Sequence, residues 1–169
     1  MPDPRLVIVR APDPIQTTLD WLILPNGLLD ETKALATAVT VALGTDGLAD
    51  VGEVLPDPDS DDRRGWWGNL DAQELYGGWD LGSRLWLMSR AKITDVGSRE
   101  GATVGRIDRY IREALDPFVL GGIATRYDVQ VTRDRNDHNK IVAEIVIYRG
   151  PKPAVALRFQ SLWDDIGTG

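Results

Sequence analysis

The chain has 169 residues, the length of one domain of ordinary size, and its composition (43% hydrophobic, 27% charged) is typical of a folded globular protein. It contains no cysteine, which excludes a disulfide framework, a thiolate metal site and a cysteine nucleophile. The net charge is −7; residues 1–80 carry 15 acidic and 5 basic side chains, whereas residues 81–169 carry 11 and 14. Such an acidic first half argues against general nucleic-acid binding, which needs clustered Lys and Arg.

The uneven charge has two interpretations. Either it serves solubility alone, or the two sides of the folded chain meet partners of opposite charge. Arg outnumbers Lys by 15 to 4, and the planar guanidinium suits partly buried contacts at protein interfaces. No apolar run has the length of a membrane helix, and the first residues do not have the pattern of a signal peptide.

Three apolar segments occupy the N-terminal part of the chain. The β-branched run Leu6–Val9 lies between prolines and predicts an edge strand or an arm, and Leu19–Leu24 is a second short apolar run. Residues 34–44 are compatible with a helix or a buried strand, and their β-branched residues favour a strand. We predict a strand-rich N-terminal arm over residues 1–33 and a single α+β domain over residues 34–169.

The longest irregular segment, residues 44–80, is rich in Gly, Asp and Pro. At its centre stands Arg63-Arg64-Gly65-Trp66-Trp67-Gly68, and long loops in compact domains usually carry function. Trp and Arg are the residue types that most often anchor protein–protein contacts. We therefore expect this loop to fold onto the domain. Its rings and guanidinium groups either pack a local core or reach a partner, and we expect a mixture of the two.

The second half of the chain predicts helices followed by strands. Ser83 is a good N-cap for a short helix from Arg84 to about Arg90, and residues 103–116 have the apolar spacing of an amphipathic helix that Pro117 breaks or kinks. Alternating segments within residues 123–132, 141–147 and 155–159 predict an antiparallel meander. The predicted fold class is α+β: an antiparallel sheet of three to five strands with one main amphipathic helix and one short helix on a face.

Residues that could carry catalysis or hold a metal form no recognisable constellation. Counted from Asp57, the sixth and twelfth positions are Asp62 and Gly68, where an EF-hand needs glycine and glutamate. The single histidine, His138, lies in a predicted hairpin loop without a nucleophile or a second ligand nearby. With 26 acidic residues some carboxylate pair is always available, so pairs do not predict a hydrolase. Such unsupported acids include Glu74, Asp80 and Glu113.

Three motifs together resemble the Mu-type phage tail protein family of the baseplate. They are Asp62-Arg63-Arg64-Gly65-Trp66-Trp67-Gly68, Leu81-Gly82-Ser83-Arg84-Leu85-Trp86-Leu87 and Arg112-Glu113-Ala114-Leu115. The likeness covers about residues 34–163. That family is similar to the lysozyme-like wedge proteins of larger contractile tails and of type VI secretion baseplates.

The resemblance implies a structural wedge subunit of the baseplate that is not an enzyme. It implies docking on the helical core bundle of a larger wedge protein, with the central hub or spike proteins and the first sheath ring as neighbours, in six copies per tail. We expect no cofactor, no metal, no nucleic acid and no membrane, and a location in the virion tail baseplate after assembly in the host cytoplasm. The expected partner-binding residues are Arg63, Arg64, Trp66, Trp67, Ser83, Arg84 and Trp86.

Strand edges offer a second kind of contact. Leu6–Val9 and Ala154–Phe159 are candidate edges for pairing with a neighbour's sheet, such as that of the sheath. Two other functions stay open from the sequence: a peptidoglycan-cleaving enzyme of the tail, and a cytosolic interaction module unrelated to phage.

Overall fold

In the computed structural model the residues that can be described are 6–10, 17–21, 25, 34–75, 77–89, 102–134 and 140–159. The chain divides into two compact units, Met1–Val41 and Ala42–Gly169. The combination of helices with an antiparallel sheet confirms the predicted α+β class. Among the described residues no helix is both long and apolar enough to cross a membrane.

The described residues form five strands and five helical segments, given in chain order within each type. The strands are β1 (Leu6–Arg10), β2 (Thr17–Trp21), β3 (Arg126–Arg133), β4 (Ile141–Arg149) and β5 (Lys152–Phe159). The helices are α1 (Ala34–Gly44), α2 (Ala72–Leu75) and α3 (Ala102–Leu120), with 3-10 helices at Trp67–Asn69 and Arg84–Met88.

The first unit contains an antiparallel pair of strands. β1 pairs with β2 so that Leu6 lies opposite Trp21 and Arg10 lies opposite Thr17. β1 covers the strand predicted at Leu6–Val9. The second predicted apolar run is described only to Trp21, and its residues 22–24 lie outside the described part of the chain.

Residues 34–44 form helix α1, so the strand predicted there is wrong. Four alanines and two leucines in this segment favour a helix, and they outweigh the β-branched residues. The hydroxyl of Thr40 donates to the carbonyl of Ala36 over 2.9 Å, which is a bond that only the helical backbone offers. The buried positions Val39, Ala42 and Leu43 follow the helical spacing rather than the alternation of a strand.

The second unit is built on helix α3. Its buried face repeats with helical spacing, as the sequence predicted. The helix continues through Pro117 to Leu120, and it ends where Gly121 N–H donates to the Pro117 carbonyl over 2.8 Å and Gly122 adopts a left-handed φ of 69°. The buried residues of this helix are Thr103, Ile107, Tyr110, Ile111, Ala114, Leu115 and Phe118.

The three C-terminal strands form the predicted meander in the order β3-β4-β5. Central strand β4 buries Ile141, Ala143, Ile145 and Ile147 on one face. Helix α3 packs against β3, and Arg112 ties the two together by donating from Nη2 to the carbonyl of Val129 over 3.0 Å. The predicted hairpin loop with His138 lies outside the described residues.

Candidate functional site

Two backbone segments that are far apart in sequence lie side by side at the base of the loop formed by residues 44–80. Asp46 and Ser83 form a parallel bridge, in which Gly47 N–H donates to the Ser83 carbonyl and Ser83 N–H donates to the Thr45 carbonyl, both over 2.8 Å. Gly82 has a φ of +126°, and a Cβ on it would lie 2.8 Å from the amide nitrogen of Gly47. The absence of a side chain at position 82 therefore allows the two segments to approach this closely.

Ser83 and Trp86 lie beneath the surface at this junction. The Ser83 hydroxyl donates to the Leu43 carbonyl over 2.7 Å and accepts from Leu85 N–H, so Ser83 caps the 3-10 helix as predicted. The buried indole of Trp86 donates from Nε1 to the Gly47 carbonyl over 2.8 Å. Both side chains hold the loop in place, and their contact with a partner stays a prediction.

Arg84 is the centre of an internal ion-pair cluster. Its guanidinium, with a side chain only 18% exposed, bonds to Asp50 and Glu113, and its Nη1 lies 3.2 Å from Oε2 of Glu53. The Tyr110 hydroxyl donates to the other oxygen of Glu53 over 2.9 Å. Burial disfavours the charged form of Arg84, but the hydrogen bonds to Glu113 and Asp50 outweigh it and raise the pKa of Arg84 well above its usual value. The cluster fastens the loop to α3.

The two adjacent arginines have different roles. Arg63 donates from Nη2 to the Ala49 carbonyl, while its own carbonyl accepts from Ala49 N–H over 3.0 Å, so it braces the loop. Its Nε is buried without a hydrogen-bond partner among the described residues. Arg64 has a left-handed φ of 52°, and its guanidinium pairs with Asp46 at 2.6 Å and lies 4.6 Å from the Trp86 ring centroid. Its side chain is 46% exposed, so Arg64 both covers the buried indole and reaches solvent.

The two adjacent tryptophans, Trp66 and Trp67, also differ in how exposed they are. Trp66 is half-buried and lies over Gly68, where an added Cβ would overlap the indole. Trp67 is 78% exposed, and its ring centroid is 5.5 Å from that of Trp66. Trp67 is therefore the ring of this loop that a partner can reach.

An open groove of about 500 Å³ lies beside these residues, and we call it the Trp67 groove. Its exposed apolar side chains are Leu48 (58% exposed), Trp67 and Leu70 (86% exposed). Large apolar side chains at such exposure mark interaction surfaces when they cluster. The charged residues that line the groove are Arg64, Asp80, Arg84 and Glu113.

Five of the seven predicted partner-binding residues line the Trp67 groove, and Arg63 and Trp86 do not. Sequence reasoning missed Leu48 and Leu70, because one leucine within a polar segment does not reveal whether it is buried. It also missed Glu53, whose position under Arg84 depends on contacts far apart in the chain. The residues brought together are Arg64, Trp66, Trp67, Ser83 and Arg84.

Two carboxylates line the groove, those of Asp80 and Glu113. The guanidinium of Arg84 bonds to Glu113 and also to Glu53, which lies outside the groove lining. The acidic side chains Glu74 and Asp80 are exposed. In the described ranges no group of three or more His, Cys, Asp or Glu is placed to hold a metal ion. The arrangement presents an apolar and charged surface to solvent.

Comparison of the sequence with known proteins finds similarity to phage proteins. Residues 35–153 match the family model described as Phage protein GP46. A relative described as baseplate protein gp46, from Escherichia phage Mu, is 40% identical over 97 residues, which make up 57% of this chain and 59% of that protein. The similarity thus spans less than two thirds of the Mu protein. No solved structure matches the chain.

Proposed function

The chain belongs to the phage protein GP46 family, and from this premise we propose that it is a structural subunit of a contractile-phage or phage-tail-like baseplate. The family match confirms the Mu-type resemblance that the motifs indicated. The Mu relative is described as a baseplate protein, which supports the same role here. The observation that carries the proposal is the Trp67 groove, where exposed apolar side chains stand on a rigid base.

We propose that this groove docks on the helical core bundle of a larger wedge protein. Binding hot spots combine an aromatic anchor with a scaffold that is ordered before binding. Trp67 supplies the anchor, and the loop that carries it is held by the Arg84 cluster and by the Trp86 bond to Gly47. Little conformational freedom of the backbone is then lost when the partner binds.

The proposed neighbours include the hub or spike proteins and the first sheath ring, in six copies per tail. β5 lies at an edge of the three-stranded sheet, and β1 is paired on one side by β2 among the described residues. Either edge can extend a neighbour's sheet by backbone hydrogen bonds. The protein would be assembled in the host cytoplasm and would be located in the virion tail baseplate.

Arg64→Ala tests the docking role. We expect binding to the adjacent large baseplate protein to weaken by about tenfold or more, since Arg anchors at interfaces often contribute over 1 kcal/mol. The fold should persist, because an exposed ion pair such as Arg64–Asp46 contributes about 0–1 kcal/mol. The measurement is co-purification of the two full-length proteins, followed by a titration.

Arg126→Ala is the matched control for this variant. Arg126 is 53% exposed, pairs with Asp128 at 2.7 Å and lies over the ring of Tyr148, but it is on β3 and does not line the groove. Binding should be unchanged in this variant. Equal binding by both variants and the wild type would contradict the docking role of the loop.

We also propose that the protein has no catalytic activity, in line with the description of its Mu relative as a baseplate protein. The purified chain is therefore expected to leave peptidoglycan intact in a zymogram that hen lysozyme clears. Clearing that is abolished by Glu113→Gln or Asp80→Asn would instead support a peptidoglycan-cleaving enzyme. A cytosolic module unrelated to phage would be absent from purified tail particles, where we expect mass spectrometry to find this chain.

A further inference from the structure

Among the described residues, the charge near the Trp67 groove that forms no ion pair is negative. Asp80 lines the groove, Asp71 directly follows Leu70, and Glu74 lies in the short helix α2 that comes next. All three are exposed, and none forms an ion pair within the described part of the chain. We call these three carboxylates the acidic rim.

The basic residues of the groove do not offset the acidic rim. Arg64 is paired with Asp46, and Arg84 is shared among Asp50, Glu53 and Glu113. Among the described residues, the three carboxylates around the guanidinium of Arg84 outnumber the two cations that pair with them, Arg84 and Arg109. An incoming acidic segment or a phosphate would therefore meet repulsion, whereas a basic one would meet unpaired carboxylates.

From these observations we infer that the Trp67 groove binds a basic amphipathic protein segment, with a large apolar side chain flanked by Lys or Arg. The inference rests on the proposed function and names the chemistry of the partner at the same site. A volume of about 500 Å³ is sufficient for large side chains, and Leu48, Trp67 and Leu70 supply the apolar contact. The acidic rim then selects for flanking positive charge.

A second copy of this chain is a poor occupant of the groove. Two copies related by a two-fold axis would place the same patch against itself. The acidic rims would then face each other, and like charges across an interface oppose association. Charge complementarity therefore favours a different protein with a basic surface.

Photo-cross-linking in assembled tail particles tests this inference. p-Benzoylphenylalanine is placed at Leu70 of the full chain, and at Leu120 as a control, because both leucines are 86% exposed and Leu120 does not line the groove. We expect a cross-link from position 70 that is several-fold stronger than from position 120. Mass spectrometry should locate it in another protein, beside at least two Lys or Arg within about one helical turn on either side.

The outcomes of this experiment are distinct. A cross-link to an acidic or neutral segment, a cross-link to a second copy, or no cross-link from particles that contain the chain overturns the basic-segment inference and leaves the baseplate role intact. Particles that lack the chain overturn the baseplate role and the inference with it.

Charge variants give a second readout. Asp71→Asn combined with Asp80→Asn should lower the cross-link from position 70 by roughly tenfold at low salt, and the loss should shrink as salt screens the rim. Asp59→Asn combined with Asp61→Asn makes the same change of charge at exposed positions that neither line the groove nor adjoin in sequence a residue that lines it. Equal yields from the two double variants would overturn the role of the acidic rim.

Discussion

Gly82→Ala is expected to destabilise the second unit by about 3 kcal/mol. The reason is geometric. The φ of +126° at Gly82 is one that L side chains rarely adopt, and the new Cβ would lie 2.8 Å from the amide nitrogen and 2.9 Å from the Cα of Gly47. Both are backbone atoms, which cannot rotate away as a flexible side chain can. The hydrogen bonds on either side of Ser83 would have to lengthen.

The measurement is urea unfolding followed by tryptophan fluorescence, with a thermal scan in which a loss of this size lowers the midpoint by about 6–12 °C. Gly105→Ala is the control, because it lies in α3 and a Cβ there meets nothing within 4 Å. Alanine has the higher helix propensity, so this variant should gain up to about 1 kcal/mol. Equal midpoints for Gly82→Ala and the wild type would show that the two segments are not held as closely as the structure indicates.

Arg84→Met is expected to destabilise the protein by a similar amount, about 3 kcal/mol. Methionine replaces much of the apolar stem but removes the nearer of the two cations that Glu53 and Glu113 share, and leaves them only Arg109, at 3.5 and 3.7 Å. Glu53 is only 15% exposed, so solvent compensates poorly for the lost partner. The loop is then held to α3 less firmly, by Tyr110 and Arg109 alone at Glu53, and we expect binding through the Trp67 groove to fall as well.

Two further variants separate the ion-pair effect from the loss of a long side chain. Arg112→Met removes a more exposed pair with Asp108 together with the hydrogen bond to the Val129 carbonyl, and should cost about 2 kcal/mol or less. Glu113→Gln in the Arg84→Met background should recover part of the lost stability, because it removes one of the two carboxylates that are then left to share the single, more exposed cation of Arg109. A loss for Arg84→Met no larger than that for Arg112→Met, with no recovery in the double variant, would contradict the role assigned to the cluster.

Periodic patterns in the sequence were sufficient to predict the helices and strands that bury one face. Ile107, Ile111 and Leu115 lie four residues apart, and this spacing suits only a helix with one side in a core. The alternation of Ile141, Ala143, Ile145 and Ile147 likewise identified β4. The prediction was wrong for residues 34–44, because a short segment that mixes alanine with β-branched residues satisfies both periods almost equally.

The sequence predicted only part of the candidate site. The motifs around Arg63 and Ser83 could be read directly, and the cap at Ser83 was correct because an N-cap is a local interaction between near neighbours. The roles of the individual rings and cations were not predictable. Trp67 and Trp86 are the same residue type in similar motifs, yet one is exposed and the other buried.

By itself, then, the sequence determined the α+β class, the main helix, the meander, the capped 3-10 helix and the family, since all of these depend on residue type and on spacing along the chain. Only the tertiary structure decided which arginine braces the loop, which tryptophan reaches solvent and which leucines join it in the groove. The physical reason is that these properties depend on contacts between segments far apart in sequence. The buried indole of Trp86 donates to the carbonyl of Gly47, which is 39 residues away in the sequence. The segments that carry these two residues can lie side by side because Gly82 has no side chain.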